Sequence, residues 1–225
     1  MTGSAKLLTR LILWTLMTLV LFAVTLFLPA GTWRFWQAWV YLALIYIFMI
    51  PFGIYFYKHD PQMLERRLQM KEKVAEQKLI MRFAKVFFLI AFVLPGFDRR
   101  FGWSHEPLWL TILSQAIAVG GFLFASWIPI VNRYAARTIQ VESGQRVIST
   151  GPYRVVRHPM YLGMLATFLF LPLALGSYWS LPAFALIAPA LVLRLLNEET
   201  VLRRELPGYD EYCQQTRFHL IPYVW

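Results

Sequence analysis

Residues 159–193 read PMYLGMLATFLFLPLALGSYWSLPAFALIAPALVL, a stretch in which no side chain carries a formal charge. Gly176-Ser177-Tyr178-Trp179 divides it into two apolar arms of roughly sixteen residues each, and a helix needs about 20 residues to cross a bilayer. The second arm is therefore expected to continue as helix into Arg194-Leu-Leu-Asn-Glu-Glu. The stretch predicts a membrane-inserted helical hairpin whose second helix ends in charged residues.

The first half of the chain contains further charge-free runs. Leu11–Leu28, Phe35–Tyr57 and Pro107–Val131 are each long enough to span a bilayer. Val86–Phe97 is shorter, so a span there must extend towards Ile80 and include charged residues near the headgroups. With 58% hydrophobic and 17% aromatic residues, the composition excludes an ordinary soluble domain. We predict an all-α, polytopic membrane protein with about six transmembrane helices.

The distribution of positive charge predicts the orientation. This arrangement places an outer loop at Asp98 to Glu106. Of the 22 Lys and Arg residues, only Arg34, Arg99 and Arg100 fall in segments on the outer side. Because Lys and Arg collect in cytoplasmic loops, both termini are expected in the cytoplasm, in an inner membrane of bacterial type. The net charge of +10 is explained in the same way. No nucleic-acid-binding motif is present, so membrane lipids, and not nucleic acid, are the expected surroundings.

The charged segment from Lys58 to Lys85 allows two interpretations. Asp60-Pro61 is typical of a helix start, with an N-cap followed by proline at the first helical position. Leucines and charged residues then alternate as in an amphipathic helix on the inner leaflet. A solvated charged loop is the alternative.

Polar residues gather at the start of the hairpin. Arg157 and His158 directly precede Pro159, which favours a sharp turn into a helix whose first N–H groups lack partners and can hold an anion. Ionisable residues at this depth are candidates for function, although interfacial anchors are an alternative. Arg194 and Glu198 are four residues apart and share a helix face. They form either a simple salt bridge or part of a mixed-charge pocket for a zwitterionic cofactor.

Several common chemistries have no support in the sequence. The single cysteine, Cys213, excludes an internal disulfide and a cysteine zinc cluster. No His, Cys, Asp or Glu set has metal-ligand spacing, and no metal is expected. Phosphate-binding glycine loops and a nucleophile elbow are also missing.

The last ninety residues resemble a known family. The pattern is Gly-Pro-Tyr-x-x-x-Arg-His-Pro-x-Tyr-x-Gly at 151–163, then Arg-x-x-x-Glu-Glu at 194–199, Leu-Pro-Gly-Tyr-x-x-Tyr at 206–212 and Ile-Pro at 221–222. It is similar to the isoprenylcysteine carboxyl methyltransferase family and to the related phospholipid methyltransferases. Taken with the charge-free runs, this predicts one integral membrane domain over residues 1–225, with four spans in 11–131 and a catalytic loop, helical hairpin and tail in 132–225.

The resemblance also implies S-adenosylmethionine as cofactor. Carried over position by position, the cofactor-binding residues are Gln145, Arg146, Val147, Ile148, Tyr153, His158, Pro159, Met160, Tyr161 and Glu198. Gln140 is a possible further contact. Arg194 is the implied catalytic and substrate-binding residue, pairing with a carboxylate of the acceptor.

The acceptor implied by the resemblance is a lipophilic small molecule or lipidated substrate, most simply a prenylcysteine-type carboxylate. Phospholipid amines and small thiols are alternatives within the same chemistry. A different enzyme class, the NADPH-dependent sterol reductases, carries a similar C-terminal motif and is a further alternative. The tail departs from the family, because His219 stands where arginine is usual. The sequence does not indicate an oligomeric state.

Overall fold

The computed structural model describes residues 3–68, 75–135, 141 and 144–225, and within these ranges its regular structure is entirely helical. This confirms the predicted all-α class. The α-helices are α1 (Gly3–Ala30), α2 (Trp36–His59), α3 (Pro61–Leu68), α4 (Ala75–Phe101), α5 (Leu108–Val131), α6 (Pro159–Ala174), α7 (Leu181–Ala185), α8 (Ile187–Glu205) and α9 (Tyr209–Gln215). A short 3₁₀ helix, Gly151–Arg154, lies before α6.

Four helical segments in the described part of the chain are long and apolar enough to cross a membrane. They are Ala5–Ala30, Trp36–His59, Leu108–Val131 and Leu181–Glu205, the last of which joins α7 and α8. Helix α4 has 27 residues, whereas α6 is apolar but has only 16. The protein is an integral membrane protein, and the total of six spans stays a prediction.

The hairpin at residues 159–193 folds as the sequence predicts. Helix α6 ends at Ala174 and α7 begins at Leu181, so the Gly176–Trp179 turn separates the two arms. Helix α8 continues through Arg194 to Glu205. The charged end of the second arm is therefore helical, as its short apolar length requires.

The predicted outer loop from Asp98 was wrong at its start, because α4 continues to Phe101. Asp98 is buried with 2% of its surface exposed, and its carboxylate accepts hydrogen bonds from Ser104 and Ser177. The Ser104 N–H donates at 2.7 Å, the Ser104 hydroxyl at 2.6 Å and the Ser177 hydroxyl at 2.5 Å. These donors compensate the buried charge and fix the turn after α6 against the end of α4.

Helix α3 lies within the charged segment whose structure the sequence left open. The Asp60 carboxylate accepts a hydrogen bond from the Met63 N–H at 3.0 Å, which confirms the predicted N-cap. Met63 and Leu64 are buried against Leu7 and Phe56. Residues 61–68 are therefore an amphipathic helix packed on the ends of α1 and α2, while residues 69–74 lie outside the described ranges.

Helices α5 and α6 pack closely because both have glycine at the contact. A Cβ on Gly163 would lie 2.7 Å from the Gly121 carbonyl oxygen, and a Cβ on Gly121 would lie 2.6 Å from the Gly163 carbonyl oxygen. The Thr167 hydroxyl also donates to the Ala118 carbonyl oxygen at 3.1 Å. Small residues permit this backbone approach, which is typical of membrane helices. The contact positions the first turn of α6, where the polar residues gather.

Gly163→Ala is expected to lower the free energy of unfolding by about 1–3 kcal/mol, the usual cost of overpacking. Gly120→Ala is the matched control, because a Cβ there has no heavy atom within 4 Å. Both substitutions make the same gain in helix propensity, so their difference isolates the helix contact. Thermal unfolding of the two purified variants in detergent measures it. Equal midpoints would contradict the packing described for α5 and α6.

Candidate functional site

The C-terminal tail pairs with the residues just before α6. The Arg157 N–H donates to the Phe218 carbonyl oxygen and the His158 N–H to the His219 carbonyl oxygen, both at 2.9 Å. His158 is the N-cap of α6 and Pro159 its first residue, as the sequence predicts. Helical geometry is unfavourable for the residue before a proline, so the chain turns at His158. The His158 N–H therefore lies outside the helix and can donate to the tail.

Glu199 is the centre of a buried charged cluster. Its Oε1 atom lies 3.1 Å from Arg157 Nε, 3.1 Å from His158 Nε2 and 3.1 Å from His219 Nδ1. The His158 contact has hydrogen-bond geometry, whereas the other two atoms lie close to Glu199 without hydrogen-bond alignment. Arg157, His158 and Glu199 are each 5–6% exposed. The cluster joins the start of α6, the end of α8 and the tail.

His219 contributes to the cluster without a fixed charge. Burial lowers the pKa of its imidazole below the usual value, and the neighbouring Arg157 and His158 act in the same direction against the opposing effect of Glu199. Its ring stacks on Trp225 with centroids 4.7 Å apart. His219 is therefore expected to be neutral at pH 7, whereas the arginine that is usual here would always be charged.

Glu198, one residue earlier on α8, faces a different group. The Tyr161 hydroxyl donates to Glu198 Oε2 at 2.7 Å. Arg194 lies one turn before Glu198, and its guanidinium also interacts with the Tyr161 hydroxyl. The shared helix face of Arg194 and Glu198 is thus directed at the first turn of α6.

A cavity of about 80 Å³ lies beside these residues. Nine of the ten cofactor positions implied by the resemblance line it, namely Gln145, Arg146, Val147, Ile148, Tyr153, His158, Met160, Tyr161 and Glu198. Pro159 is buried beside it but is not among the lining residues, and neither is Arg194. Gln140 lies outside the described residues. The structure brings the nine residues together, and their role in binding stays a prediction.

The cavity has further walls to which the sequence assigned no role. Asn132 lines it and donates to the Tyr153 hydroxyl at 3.0 Å. Tyr209 and Tyr212 of α9 also line it, and the Tyr212 hydroxyl donates to the Tyr153 carbonyl oxygen at 2.7 Å. The available signal was the Leu-Pro-Gly-Tyr-x-x-Tyr motif at 206–212, which formed part of the resemblance.

Three tyrosines that line this cavity are held neutral. Burial raises the pKa of the phenols of Tyr153, Tyr209 and Tyr212 above their usual value. Tyr209 is 4% exposed, and its hydroxyl makes no hydrogen bond to the described residues. A buried hydroxyl in this state is costly and favours a polar ligand in the cavity. With the Glu198 carboxylate and the apolar Val147 and Ile148, the lining fits a ligand that has both polar and apolar parts.

The fold and the site thus define a helical membrane protein with a cavity of mixed polar and apolar lining at one end of a membrane hairpin. Residues 109–207 match the model of the phospholipid methyltransferase family. The match confirms the resemblance predicted from the sequence for this part of the chain. The nine implied cofactor positions that line the cavity all lie within the matched segment, whereas Tyr209 and Tyr212 lie just beyond it.

Curated proteins that match parts of the chain include two metal-resistance proteins and a sterol reductase. The nickel-cobalt-cadmium resistance protein NccN of Alcaligenes xylosoxydans xylosoxydans is 28% identical over 47% of this chain and 50% of its own length. The cobalt-zinc-cadmium resistance protein CzcN of Cupriavidus metallidurans is 30% identical over 58% of this chain and 57% of its own. The Delta(14)-sterol reductase of Mus musculus is 33% identical over 39% of this chain and 22% of its own. The chain therefore spans less than two thirds of each relative.

Proposed function

We propose that this protein transfers a methyl group from S-adenosylmethionine to a lipophilic acceptor at the cytoplasmic face of an inner membrane. The observation that carries the proposal is the convergence of nine implied cofactor residues around one cavity, inside the segment that matches the methyltransferase family. The excess of Lys and Arg in the segments on the same side as this cavity supports the cytoplasmic location.

The residues of the cavity are suited to hold the cofactor. Glu198 offers a carboxylate to the cofactor's hydroxyl or amino groups, and Tyr209 offers a hydroxyl without a partner among the described residues. When bound, S-adenosylmethionine supplies an electrophilic methyl group on a sulfonium. A cavity of about 80 Å³ is smaller than the ~300–1,000 Å³ usual for ligand sites. The lining residues before α6 are therefore expected to move outward when the cofactor binds.

A carboxylate is the acceptor that Arg194 favours, as in a prenylcysteine-type C-terminus. The guanidinium interacts with Tyr161, which lines the cavity, and can orient a carboxylate through paired hydrogen bonds. A carboxylate needs no proton removed before it attacks a methyl group, so the main task of the protein is alignment, which supplies up to ~7–11 kcal/mol. Phospholipid amines and small thiols are the alternative acceptors.

Equilibrium binding tests the methyl donor. We expect the purified full chain in detergent to bind S-adenosylhomocysteine saturably and not to bind NADPH, as followed by calorimetric titration. The 33% identity with a sterol reductase favours NADPH-dependent reduction as a second candidate. Saturable NADPH binding without S-adenosylhomocysteine binding would replace the first candidate by the second. A radiolabelled methyl-transfer screen across lipid extracts, prenylcysteine analogues and thiols then identifies the acceptor.

Arg194→Ala is expected to leave S-adenosylhomocysteine affinity unchanged and to lower methyl transfer to a carboxylate acceptor roughly tenfold to a hundredfold, the effect of one lost contact to a charged group. Arg203→Ala is the matched control on the same helix, because Arg203 is exposed and pairs with Asp210 at 2.5 Å. The two measurements are calorimetric titration and transfer of radiolabelled methyl. Wild-type turnover by Arg194→Ala would exclude the role given to Arg194.

A further inference from the structure

A second cavity, of about 160 Å³, lies at the other end of α6 from the cavity described above. It is lined by Leu175 and Gly176, which directly follow α6, whereas the first cavity is lined by Met160 and Tyr161 of the first turn. Helix α6 has 16 residues and is therefore about 24 Å long, so the two cavities are separate. The polar residues that line the second cavity include Gln37, Asp98, Arg99, Ser104, His105 and Glu106.

Two buried oxygen atoms of the second cavity accept no hydrogen bond from the described residues. Glu106 Oε1 accepts one from the Thr111 hydroxyl at 3.3 Å, but Glu106 Oε2 and Gln37 Oε1 are buried and have no such donor. Asp98 differs, because donors from two serines satisfy both of its carboxylate oxygens. A buried acceptor without a donor is costly. The cavity therefore favours a ligand that donates hydrogen bonds.

The negative charge of Glu106 is also uncompensated within the part of the chain that the structure describes. Burial raises the pKa of its carboxyl to about 7, the hydrogen bond from Thr111 opposes this rise, and the nearby Asp98 adds to it. No salt bridge joins Glu106 to a described Lys, Arg or His residue. A cation bound beside Glu106 would offset the cost of burying its charge. If that cation carries N–H groups, it would also donate to the two oxygens that lack donors.

The lining distinguishes between kinds of cation. A quaternary ammonium group has no N–H to donate and is usually held by the rings of Trp, Tyr or Phe, and the described lining of this cavity contains none of these. No group of three or more His, Cys, Asp or Glu residues in the described ranges could hold a metal ion. A primary ammonium group donates three hydrogen bonds. Its charge and its donors therefore match Glu106 and Gln37 best.

The exposed side of the second cavity carries a positive charge and lies beside aromatic residues. Arg99 lines the cavity and is exposed. Trp103, in the same loop as Ser104, and Trp179 are also exposed, and their ring centroids are 6.1 Å apart. Exposed tryptophans are typical of the interface between membrane and water. A ligand with its ammonium group inside this cavity can therefore direct an anionic group towards Arg99, at the depth of the lipid headgroups.

We propose that this cavity binds a zwitterionic molecule through its primary ammonium group, with Glu106 and Gln37 as hydrogen-bond acceptors and Arg99 towards the anionic group. A lipid headgroup and a soluble amine of the same structure share this chemistry, and the exposed tryptophans favour the lipid. On the predicted orientation the cavity lies at the outer leaflet. The bound molecule is therefore not the methyl acceptor, and the inference does not rest on the proposed methyl transfer.

Calorimetric titration of the purified full chain in neutral detergent, buffered above the pKa of Glu106, tests the inference. The probes are lysophosphatidylethanolamine, which has a primary ammonium group, lysophosphatidylcholine, which has a quaternary one, and soluble phosphoethanolamine. The wild type is expected to bind the first roughly tenfold more tightly than the second. Glu106→Gln is expected to weaken binding of lysophosphatidylethanolamine about tenfold or more, as the loss of a contact to a charged group does, and Gln37→Leu about threefold to tenfold.

Glu205→Gln is the matched control, because Glu205 is exposed and pairs with Arg204 at the end of α8. Equal affinity for the two lysolipids, unchanged affinity in a folded Glu106→Gln protein, or an equal loss in Glu205→Gln would overturn the proposal. The midpoint of thermal unfolding without ligand shows whether each variant is folded.

Phosphoethanolamine separates the two sources of the ammonium group. Binding as tight as that of lysophosphatidylethanolamine would support a soluble ligand, whereas roughly tenfold weaker binding would support a lipid. S-adenosylhomocysteine titrated into the wild-type chain alone reports separately on the methyl-transfer function.

Discussion

Replacing Glu199 with glutamine is expected to lower the free energy of unfolding by about 3–5 kcal/mol, the usual cost of breaking a buried ion pair on one side. Glutamine has almost the same shape, so the loss comes from the charge. Arg157 would remain 6% exposed beside a neutral amide, with no other carboxylate recorded near it in the described part of the chain. His158 would lose its hydrogen-bonded carboxylate as well.

The measurement is unfolding of the purified variants in detergent, with Glu205→Gln as control on the same helix. Glu205 is exposed and pairs with Arg204, its sequence neighbour, so its replacement is expected to change stability by less than ~0.5 kcal/mol. Trypsin cleavage after the exposed Arg217 provides a second readout, because Arg157 and His158 bind the tail residues that follow it. Faster cleavage in Glu199→Gln than in Glu205→Gln is expected.

A double variant distinguishes the buried charge from simple loss of packing. Arg157→Met combined with Glu199→Gln removes both charges, and such replacements cost less than the loss of one partner. The double variant is therefore expected to be more stable than Glu199→Gln alone. Two results would show that Glu199 does not stabilise the fold through Arg157. One is a Glu199→Gln variant as stable as the wild type, and the other is a double variant less stable than Glu199→Gln.

The hairpin was predictable because the membrane leaves few alternatives for an apolar run. The second arm of the hairpin is too short to cross the membrane alone, so its helix must continue into the charged segment that follows. Helix α8 does continue through Arg194. The end of α4 was not predictable in this way. Asp98 resembles the start of a loop until its partners are known, and Ser104 and Ser177 are 6 and 79 residues away from it.

The sequence predicted which residues form the candidate site better than it predicted the contacts between distant residues. Motif spacing indicated which residues of 145–161 surround a cavity, because a resemblance carries local positions well. It could not show that His158 and His219 meet at Glu199, since that contact depends on how the tail folds back. Nor could it show that Arg67 reaches Met160, because these residues are 93 positions apart.

The largest effect on ligand binding is expected from Glu198→Ala, which should weaken S-adenosylhomocysteine binding a hundredfold or more, about 2.7 kcal/mol. Glu198 is a carboxylate in the cavity lining, and its Oε2 atom accepts a hydrogen bond from Tyr161. Its removal takes away a charged acceptor for the ligand's hydroxyl or amino groups and leaves the Tyr161 hydroxyl without that partner. Hydrogen bonds to charged groups contribute about 1.5–3 kcal/mol each, so one or two such contacts account for the loss.

Tyr161→Phe and Glu205→Ala show whether the lower affinity of Glu198→Ala comes from the lost carboxylate or from the lost hydrogen bond to Tyr161. Tyr161→Phe removes the same hydrogen bond but keeps the carboxylate, so it should weaken binding less than Glu198→Ala, by about tenfold. Glu205→Ala removes a carboxylate from the same helix away from Tyr161 and should bind as the wild type does. Glu198 is only half-buried, so the midpoint of thermal unfolding should change little in Glu198→Ala. Calorimetric titration of the three variants with S-adenosylhomocysteine measures these affinities. A carboxylate that contacts the ligand cannot be deleted without a loss of binding free energy. Unchanged affinity in a folded Glu198→Ala protein would therefore exclude Glu198 from the donor site.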